Sequence, residues 1–576
     1  MKVKLVIEKK LTLEYNIKIE YIFRIYGIYK GGNMALKRQS FMKGVAVVLG
    51  AQILIKLFGF IYRVILTNIE GFQDVGNSYY SSGYKVYIFI LALATTGVPS
   101  AIGKLVSEKV AIGDRRGAHK IFKTSLTLFT VVGLVFSLLL FFGAEFISTT
   151  VLSNPGVKYT IATLAPAVLL VSIAAVFRGY FVGLGNVTAH SVAQIVEQII
   201  NSILSVVFVI MLVGNSPEIM AMGSTAATAV STLVALTYLW LYYRKNQEII
   251  WQEVRESQQF RAEGRREITR NLLKYTIPLA ITSIVTSLVG MVDLVTVVDS
   301  LVEYYESLGV KDALLVANEK FGIIAGKVDI LVSIPFALNV AIITPLMPAI
   351  SAHIVKKEKK QAIAKINTSM KLSSIIAFPC AAGLTILAQP IFNAIFPNAS
   401  AGALLLQLEV WSVVIGLAAQ TAESALVGVN RLYVPTIAVI SGAIVKYFLN
   451  IWLIPIYGEN VAPITTIAYH VIDGFIAIFL LYRTLKAVPD FKNILVKPVF
   501  ATIVMSLLVI LTQKVCVYIN VGETISMCIA IIVGMLSYFC TLLKVGTLSS
   551  EELSQIPYGN RICHFLEKSK KVEKNC

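Results

Sequence analysis

The chain is short of cysteine, of histidine and above all of charge. None of its six cysteines occurs before Cys380, and no two stand in a Cys-x-x-Cys or other metal-ligand spacing, which argues against a disulfide framework and a zinc site. The five histidines are scattered and read as ordinary polar residues. Only 15% of the 576 residues are charged against 56% hydrophobic, with a mean hydropathy of +0.75, values that exclude a water-soluble globular protein of this size. Lipid is the expected solvent. Phosphate-binding loops are missing too. Gly97-Val-Pro-Ser-Ala-Ile-Gly103-Lys104-Leu105 has the wrong spacing and no Ser or Thr after its lysine, and Gly183-Leu-Gly185 has no strand before it. No cofactor, metal or nucleotide-hydrolysing domain is expected, so uphill transport would draw on ion gradients or the membrane potential.

Residues 1–39 lack the continuous apolar core of a secretory signal and read as a cytoplasmic leader. Lys30-Gly31-Gly32 just before Met34 is what a purine-rich ribosome-binding site would encode, so translation is expected to start at Met34.

What the chain does have is long apolar runs. A crossing helix needs about 20 mostly apolar residues, and about fourteen such segments occur between residues 40 and 543. The expected architecture is an all-α polytopic membrane protein. It has a six-helix lobe at 40–243, a linker at 244–271, a second six-helix lobe at 272–482, helices 13 and 14 within 495–543, and a basic tail at 544–576. The +18 net charge is distributed by side. Alternate loops hold Arg115, Arg116 and Lys120, then Arg261, Arg265 and Arg266, then Lys356 to Lys360, whereas the opposite loops carry Glu70, Asp74, Glu145, Glu218, Asp299 and Glu303. Basic loops stay cytoplasmic, so both termini are expected in the cytoplasm, and the charge is a topology signal rather than a nucleic-acid surface. Short matches between the halves, such as Lys56-Leu-Phe-Gly59 and Ser287-Leu-Val-Gly290, favour a duplicated bundle around a central cavity.

An ionisable group at mid-membrane depth costs about 2.5 to 3.5 kcal/mol on insertion scales, so such groups face a cavity, a partner or a pathway. Lys56 and Arg63 in span 1 are seven residues apart and share a helical face, and Lys327 and Asp329 open span 8. Cations in a cavity suit an anionic head such as a pyrophosphate. Lys56, Arg63 and Lys327 are therefore the expected substrate contacts, although Arg63 and Lys327 lie near enough to helix ends to snorkel or, for Lys327, to pair with Asp329. Glu197, Asp293, Lys446 and Asp473 are expected as inter-helix polar contacts or coupling residues, and Glu423 also lies within a span.

Gly59-Phe-Ile-Tyr-Arg63, Thr96-Gly-Val-Pro-Ser-Ala-Ile-Gly-Lys-Leu-Val-Ser-Glu108, Phe177-Arg-Gly-Tyr-Phe181 with Gly183 and Asn186, and Glu197-Gln198 together resemble the stage V sporulation protein B branch of the polysaccharide biosynthesis proteins. That branch lies in the multidrug/oligosaccharidyl-lipid/polysaccharide flippase superfamily, and the resemblance covers residues 35–545. It implies a flippase of undecaprenyl-diphosphate-linked saccharides for the cell wall or for sporulation, related to the lipid II flippases. Its partners would be the lipid-linked saccharide, membrane lipids and a coupling ion, in the cytoplasmic membrane. In such relatives a basic cavity receives the head and the C-terminal helix pair forms a groove for the polyprenyl tail. Lys56 matches a cavity arginine of the span 1 motif, and Lys327 falls near another. The second span 1 arginine aligns with Tyr62, and a basic residue of span 2 is replaced by the apolar run Ile88 to Ala94.

Two rivals stand beside this reading. A cation-coupled drug exporter of the same superfamily would want acidic groups in the cavity, which Glu197 and Asp293 could serve. A membrane glycosyltransferase or polymerase would need a sizeable outer domain, and the longest outer connection, 299–323, is too short for one.

Overall fold

The computed structural model describes residues 41–95, 97–257 and 263–547, so the leader, the Met34 start and most of the basic tail lie outside the described residues. Every extended element among the described residues is helical. Among the described residues thirteen segments are long and apolar enough to cross a membrane, and Tyr433–Leu485 among them contains two helices of about 25 residues in succession. The first lobe comprises α1 (Phe41–Thr67), α2 (Gln73–Ala94), α3 (Val98–Ala111), α4 (Arg115–Phe146), α5 (Lys158–Gly183), α6 (Val187–Met211) and α7 (Pro217–Lys245). A short α8 (Gln247–Glu256) lies in the linker. The second lobe holds α9 (Arg265–Ser307), α10 (Ala313–Ile323), α11 (Asp329–Val355), α12 (Lys359–Ile386), α13 (Ala388–Ile395), α14 (Ala403–Glu409), α15 (Ser412–Gly428), α16 (Tyr433–Tyr457) and α17 (Val461–Leu485). The pair α18 (Lys497–Tyr518) and α19 (Glu523–Lys544) closes the described chain.

Large apolar side chains such as Phe142, Met211, Trp452, Phe475 and Leu507 project outward and are mostly exposed, as they must be when the surrounding solvent is hydrocarbon. With lipid outside, greasy surface gives no reason for helices to meet, so small residues and buried hydrogen bonds set the contacts. Gly179 and Gly183 of α5 illustrate this. A Cβ at Gly179 would stand 2.8 Å from the Pro99 carbonyl, and one at Gly183 would stand 2.6 Å from the Val106 Cβ, so only glycine lets α3 lie on α5.

One expectation is corrected. The second crossing segment is not one straight helix: α2 stops at Ala94 and the chain restarts at Val98, because Gly97 takes φ +82° and Pro99 follows at the head of α3. The outer connection 299–323 is mostly helix, made of the end of α9 and all of α10, with a break near Leu308–Asp312. Its helix α10 packs against α2 of the first lobe, while Glu303, Glu306, Asp312 and Glu319 stay exposed.

Candidate functional site

Away from α9, the main contact between the lobes is a seam in which α2 of the first lobe meets α10 and the π-helical turn Ile324–Val328 of the second. The sequence Gly322-Ile-Ile-Ala-Gly326 makes the contact close. A Cβ on Gly322 would fall 1.7 Å from the Asp74 carbonyl oxygen, and one on Gly326 would fall 2.6 Å from the Asn77 Cβ. The turn then brings Lys327, which has no exposed surface, onto Asp74 at 2.7 Å, and its ammonium also donates to the carbonyls of Ala399 and Ala401 at 2.7 and 3.0 Å. Asn318 accepts from Ser78 and from Asn154, both at 2.7 Å. Asn68 donates to the Ile395 carbonyl at 2.8 Å, and Asn398 donates back to the Asn68 carbonyl at 2.9 Å. These contacts all lie at one end of the molecule, opposite the linker.

Arg63 is buried just inside this seam. It donates to Ser81 at 2.9 Å and stacks over Tyr80 at 4.2 Å, while its Nη1 has no hydrogen-bond partner. Lys56 is two turns further from the seam on the same face of α1, about 20° away in projection at 3.6 residues per turn. It is exposed, and it is off the outward stripe of Ile53, Leu57, Ile61 and Ile65. Neither an ion pair nor a hydrogen bond is recorded for it among the described residues. Lys56, Arg63 and Lys327 are therefore in three different situations: exposed, half-satisfied, and locked to an acid of the other lobe.

Between the lobes, α2 and the second lobe build a charged cluster. Lys85 of α2 reaches Asp329 of α11 at 3.8 Å, with Phe321 under its ammonium. Deeper in the second lobe, Lys446 of α16 pairs with Asp293 of α9 at 2.7 Å. Asn450 bridges Asp293 and Thr296, and Thr465 donates to Asn450 at 2.6 Å. Glu409, at the end of α14, is 3% exposed near Asp329 and Lys446, and its Oε2 has no hydrogen-bond partner. In the first lobe Glu197 pairs with Arg178 and accepts from Thr232 at 2.9 Å. Among the described residues Asp473 has no cation: its contact is another carboxyl, Glu423.

Sequence reasoning missed Lys85, Asp74, Arg178 and Glu409 as members of these clusters. Lys85 matters most, because span 2 was expected to contribute no basic group; its lysine lies one turn before the apolar run Ile88 to Ala94. Lys85 and Arg178 are charges inside apolar runs and could have been found by the rule that found Lys56. The same rule applies to Glu409, which lies in the apolar run 402–428; Asp74 could not have been found this way, since it falls at a helix start.

A bundle of this kind, two helical lobes joined across a polar seam with charges buried between them, defines a multi-pass membrane transport protein. The chain belongs to the polysaccharide biosynthesis protein family, whose model matches residues 41–354, and the model for lipid II flippase MurJ matches residues 328–531. It is 25% identical over 93% of its length to the uncharacterized membrane protein YabM of Bacillus subtilis (strain 168), covering 98% of that protein. It is 25% identical to stage V sporulation protein B of the same organism, over 58% of this chain and 63% of that one. To lipid II flippase MurJ, again from Bacillus subtilis, it is 24% identical, over 76% and 82%. Among solved structures, a lipid II flippase MurJ in an inward closed conformation aligns with TM-score 0.61 at 15% identity, over 87% of this chain and 98% of that one. An inward-facing multidrug resistance MATE transporter aligns with TM-score 0.59 at 12% identity, over 77% and 98%. The fold is thus that of the MOP superfamily, in a multi-pass protein of the cell membrane whose relatives are flippases and transporters.

Proposed function

We propose that this protein moves an undecaprenyl-diphosphate-linked saccharide across the cytoplasmic membrane by alternating access, its two lobes rocking about a central chamber. The observation that carries the reading is the set of cations around the space between the lobes. Lys56 and Arg63 share one face of α1, and Lys85 stands on α2 against an acid of the other lobe. A diphosphate brings two or more negative charges, and lysine and arginine can replace its water shell. Lys56 would meet it first, being exposed. Lys85 and Lys327 would join it only by leaving Asp329 and Asp74, so cargo binding and loosening of the seam would be one event. That exchange couples cargo to conformation because the diphosphate would bind the two states unequally.

The tail would stay in lipid. An apolar groove of about 260 Å³ between α12, the start of α15 and α18, lined by Phe378, Ala382, Trp411, Val499, Ile503 and Leu507, suits a polyprenyl chain. Both termini and the linker are assigned to the cytoplasm from the basic loops, which makes the seam the outer gate.

One observation favours a second reading, export of a cationic drug: the inter-lobe cluster holds Asp293, Asp329 and Glu409 against Lys85 and Lys446. The deciding experiment is complementation of a flippase-depleted strain. Lys56→Ala is expected to abolish growth while inserting normally in the membrane, and normal growth would remove Lys56 and its diphosphate contact from the mechanism.

A further inference from the structure

Among the described residues most buried acids are matched to cations, and two contacts join carboxyl to carboxyl: Glu409 with Asp329, which has Lys85 beside it, and Glu423 with Asp473, which has no cation. Glu197 has Arg178, Asp293 has Lys446 and Asp74 has Lys327. Glu423 of α15 and Asp473 of α17 have each other. Their carboxyls lie in hydrogen-bonding contact. Asp473 is 4% exposed, and both Asp473 Oδ1 and Glu423 Oε1 are buried without a hydrogen-bond donor. Packing holds them there, for Gly474 lets α17 approach so closely that a Cβ would sit 2.9 Å from Ile415 of α15.

Among the described residues the surroundings supply no counter-charge. On α17 the titratable neighbours are Tyr469 and His470, the latter stacked on Phe336 of α11 with its Nδ1 unpartnered. On α16 the nearest cation is Lys446, whose ammonium is bound to Asp293. From α11 and α12 the polar contacts to α15 are Asn339, the Ile343 carbonyl and Ser373, none of which titrates. Ser424, beside Glu423, already gives its hydroxyl to Ile343.

Two ionised carboxylates are both acceptors and cannot bond each other, whereas a carboxyl that keeps its proton becomes the donor the other lacks. A metal cation fits this place less well than a proton. Such an ion needs several oxygen ligands, whereas the α15 side chains that face Gly474, next to Asp473, are the apolar Ile415 and Ala419. We propose that Glu423 and Asp473 share one proton, and that this pair is the proton-binding site through which the second lobe couples transport to the proton gradient. When the proton leaves, two like charges face each other between α15 and α17, and the helices are pushed apart. The displacement reaches the inter-lobe cluster along a bonded path: α17 holds Asn450 through Thr465, and Asn450 holds Asp293. The coupling rests on the transport reading above; the shared proton does not.

The two parts are tested separately on the full-length protein. Infrared spectra of the purified chain in liposomes, without cargo, are expected to show a protonated-carboxyl stretch that shifts in D₂O. One component of it should vanish in Glu423→Gln and in Asp473→Asn, each checked for native helicity and monodispersity, should persist in Glu409→Gln, and should be indifferent to exchanging potassium for sodium. Absence of that component, its survival in both pair variants, or its loss on adding sodium would overturn the shared proton. In liposomes carrying a fluorescent lipid-linked saccharide, wild-type translocation should change by up to about tenfold per unit of imposed pH gradient, and Glu423→Gln should respond to none. Wild-type translocation that ignores the gradient would overturn the coupling. A wild type that translocates nothing would refute the flippase reading and leave the infrared result to decide the proton.

Discussion

The two ends of the lobe interface are built from different chemistry. At the seam, glycines bring backbones together and a network of buried hydrogen bonds around Lys327, Asp74, Asn318 and Asn68 fastens them. At the linker end the long α9 crosses over and lays Ile268 and Leu272 into the apolar core of the first lobe, with Tyr275 under the ammonium of Lys104 at 4.0 Å. The linker itself is fastened by partly exposed charge: Lys109 meets Glu263 at 2.5 Å, and Arg115 meets Glu253 at 3.4 Å. A buried polar contact is close to all-or-none, because any member left without its partner is costly, whereas apolar packing and exposed ion pairs yield gradually. The seam is therefore the end suited to two discrete states, and the linker end is the end suited to a sliding hinge.

The largest effect is expected from breaking the close approach. Gly322→Ala would drive a Cβ into the Asp74 carbonyl, and since that obstacle is backbone the lobes must separate. In a cysteine-free background, cross-linking of Asn68→Cys to Asn398→Cys by a short thiol reagent should fall by about tenfold or more, as a severe steric clash would require. Gly383→Ala, with open space around its position, should leave the yield unchanged. Equal yields in the two variants would show that the seam is not held by glycine.

Next comes the ion pair within the seam. Lys327→Ala leaves the Asp74 carboxylate buried and unpaired, at a cost of about 3 to 5 kcal/mol, and Asp74→Ala does the same to the ammonium. The double variant removes both charges and should recover most of the loss. Thermal unfolding of the purified protein checks this: two strongly lowered single variants and a double variant near wild type are expected, and simple additivity would mean that the two residues act independently.

Much of this was legible in the sequence, and the reasons for success and failure are physical. Crossing helices are legible because each must carry its own apolar run, so α4 to α7 and α16 to α19 fall close to where hydropathy puts them. Pairing is not legible, because it depends on which helix lies alongside which. Lys327 and Asp329 are two residues apart and look like partners, yet side chains two apart on a helix do not face each other. Lys327 instead bonds Asp74, 253 residues away, and Asp329 turns to Lys85. The Gly322-Ile-Ile-Ala-Gly326 motif was visible but straddled the expected boundary between the outer connection and span 8. Its spacing gains meaning only once α10 is known to be a helix pressed on α2.

The smallest effect is expected at the linker end, and it sharpens the contrast. Tyr275→Leu keeps most of the apolar volume and removes the ring under Lys104, a contact worth about 0.5 to 1 kcal/mol where exposed. Lys109→Gln removes ion pairs with Glu263, at 19% and 29% exposed, and with Asp114 at 3.5 Å, which keeps its bond from the Gly117 N–H; partly solvated pairs such as that with Glu263 contribute at most about 1 kcal/mol and are screened by salt. Neither change should alter the Asn68–Asn398 cross-link. Both should raise thiol labelling of a cysteine placed at Leu105 between α3 and the linker-end segment of α9, by less than about fivefold, and added salt should erase the difference for Lys109→Gln but not for Tyr275→Leu. If Lys109→Gln instead loosened the seam as strongly as Lys327→Ala, the two ends would be one rigid unit, and a hinge at the linker end would have to be abandoned.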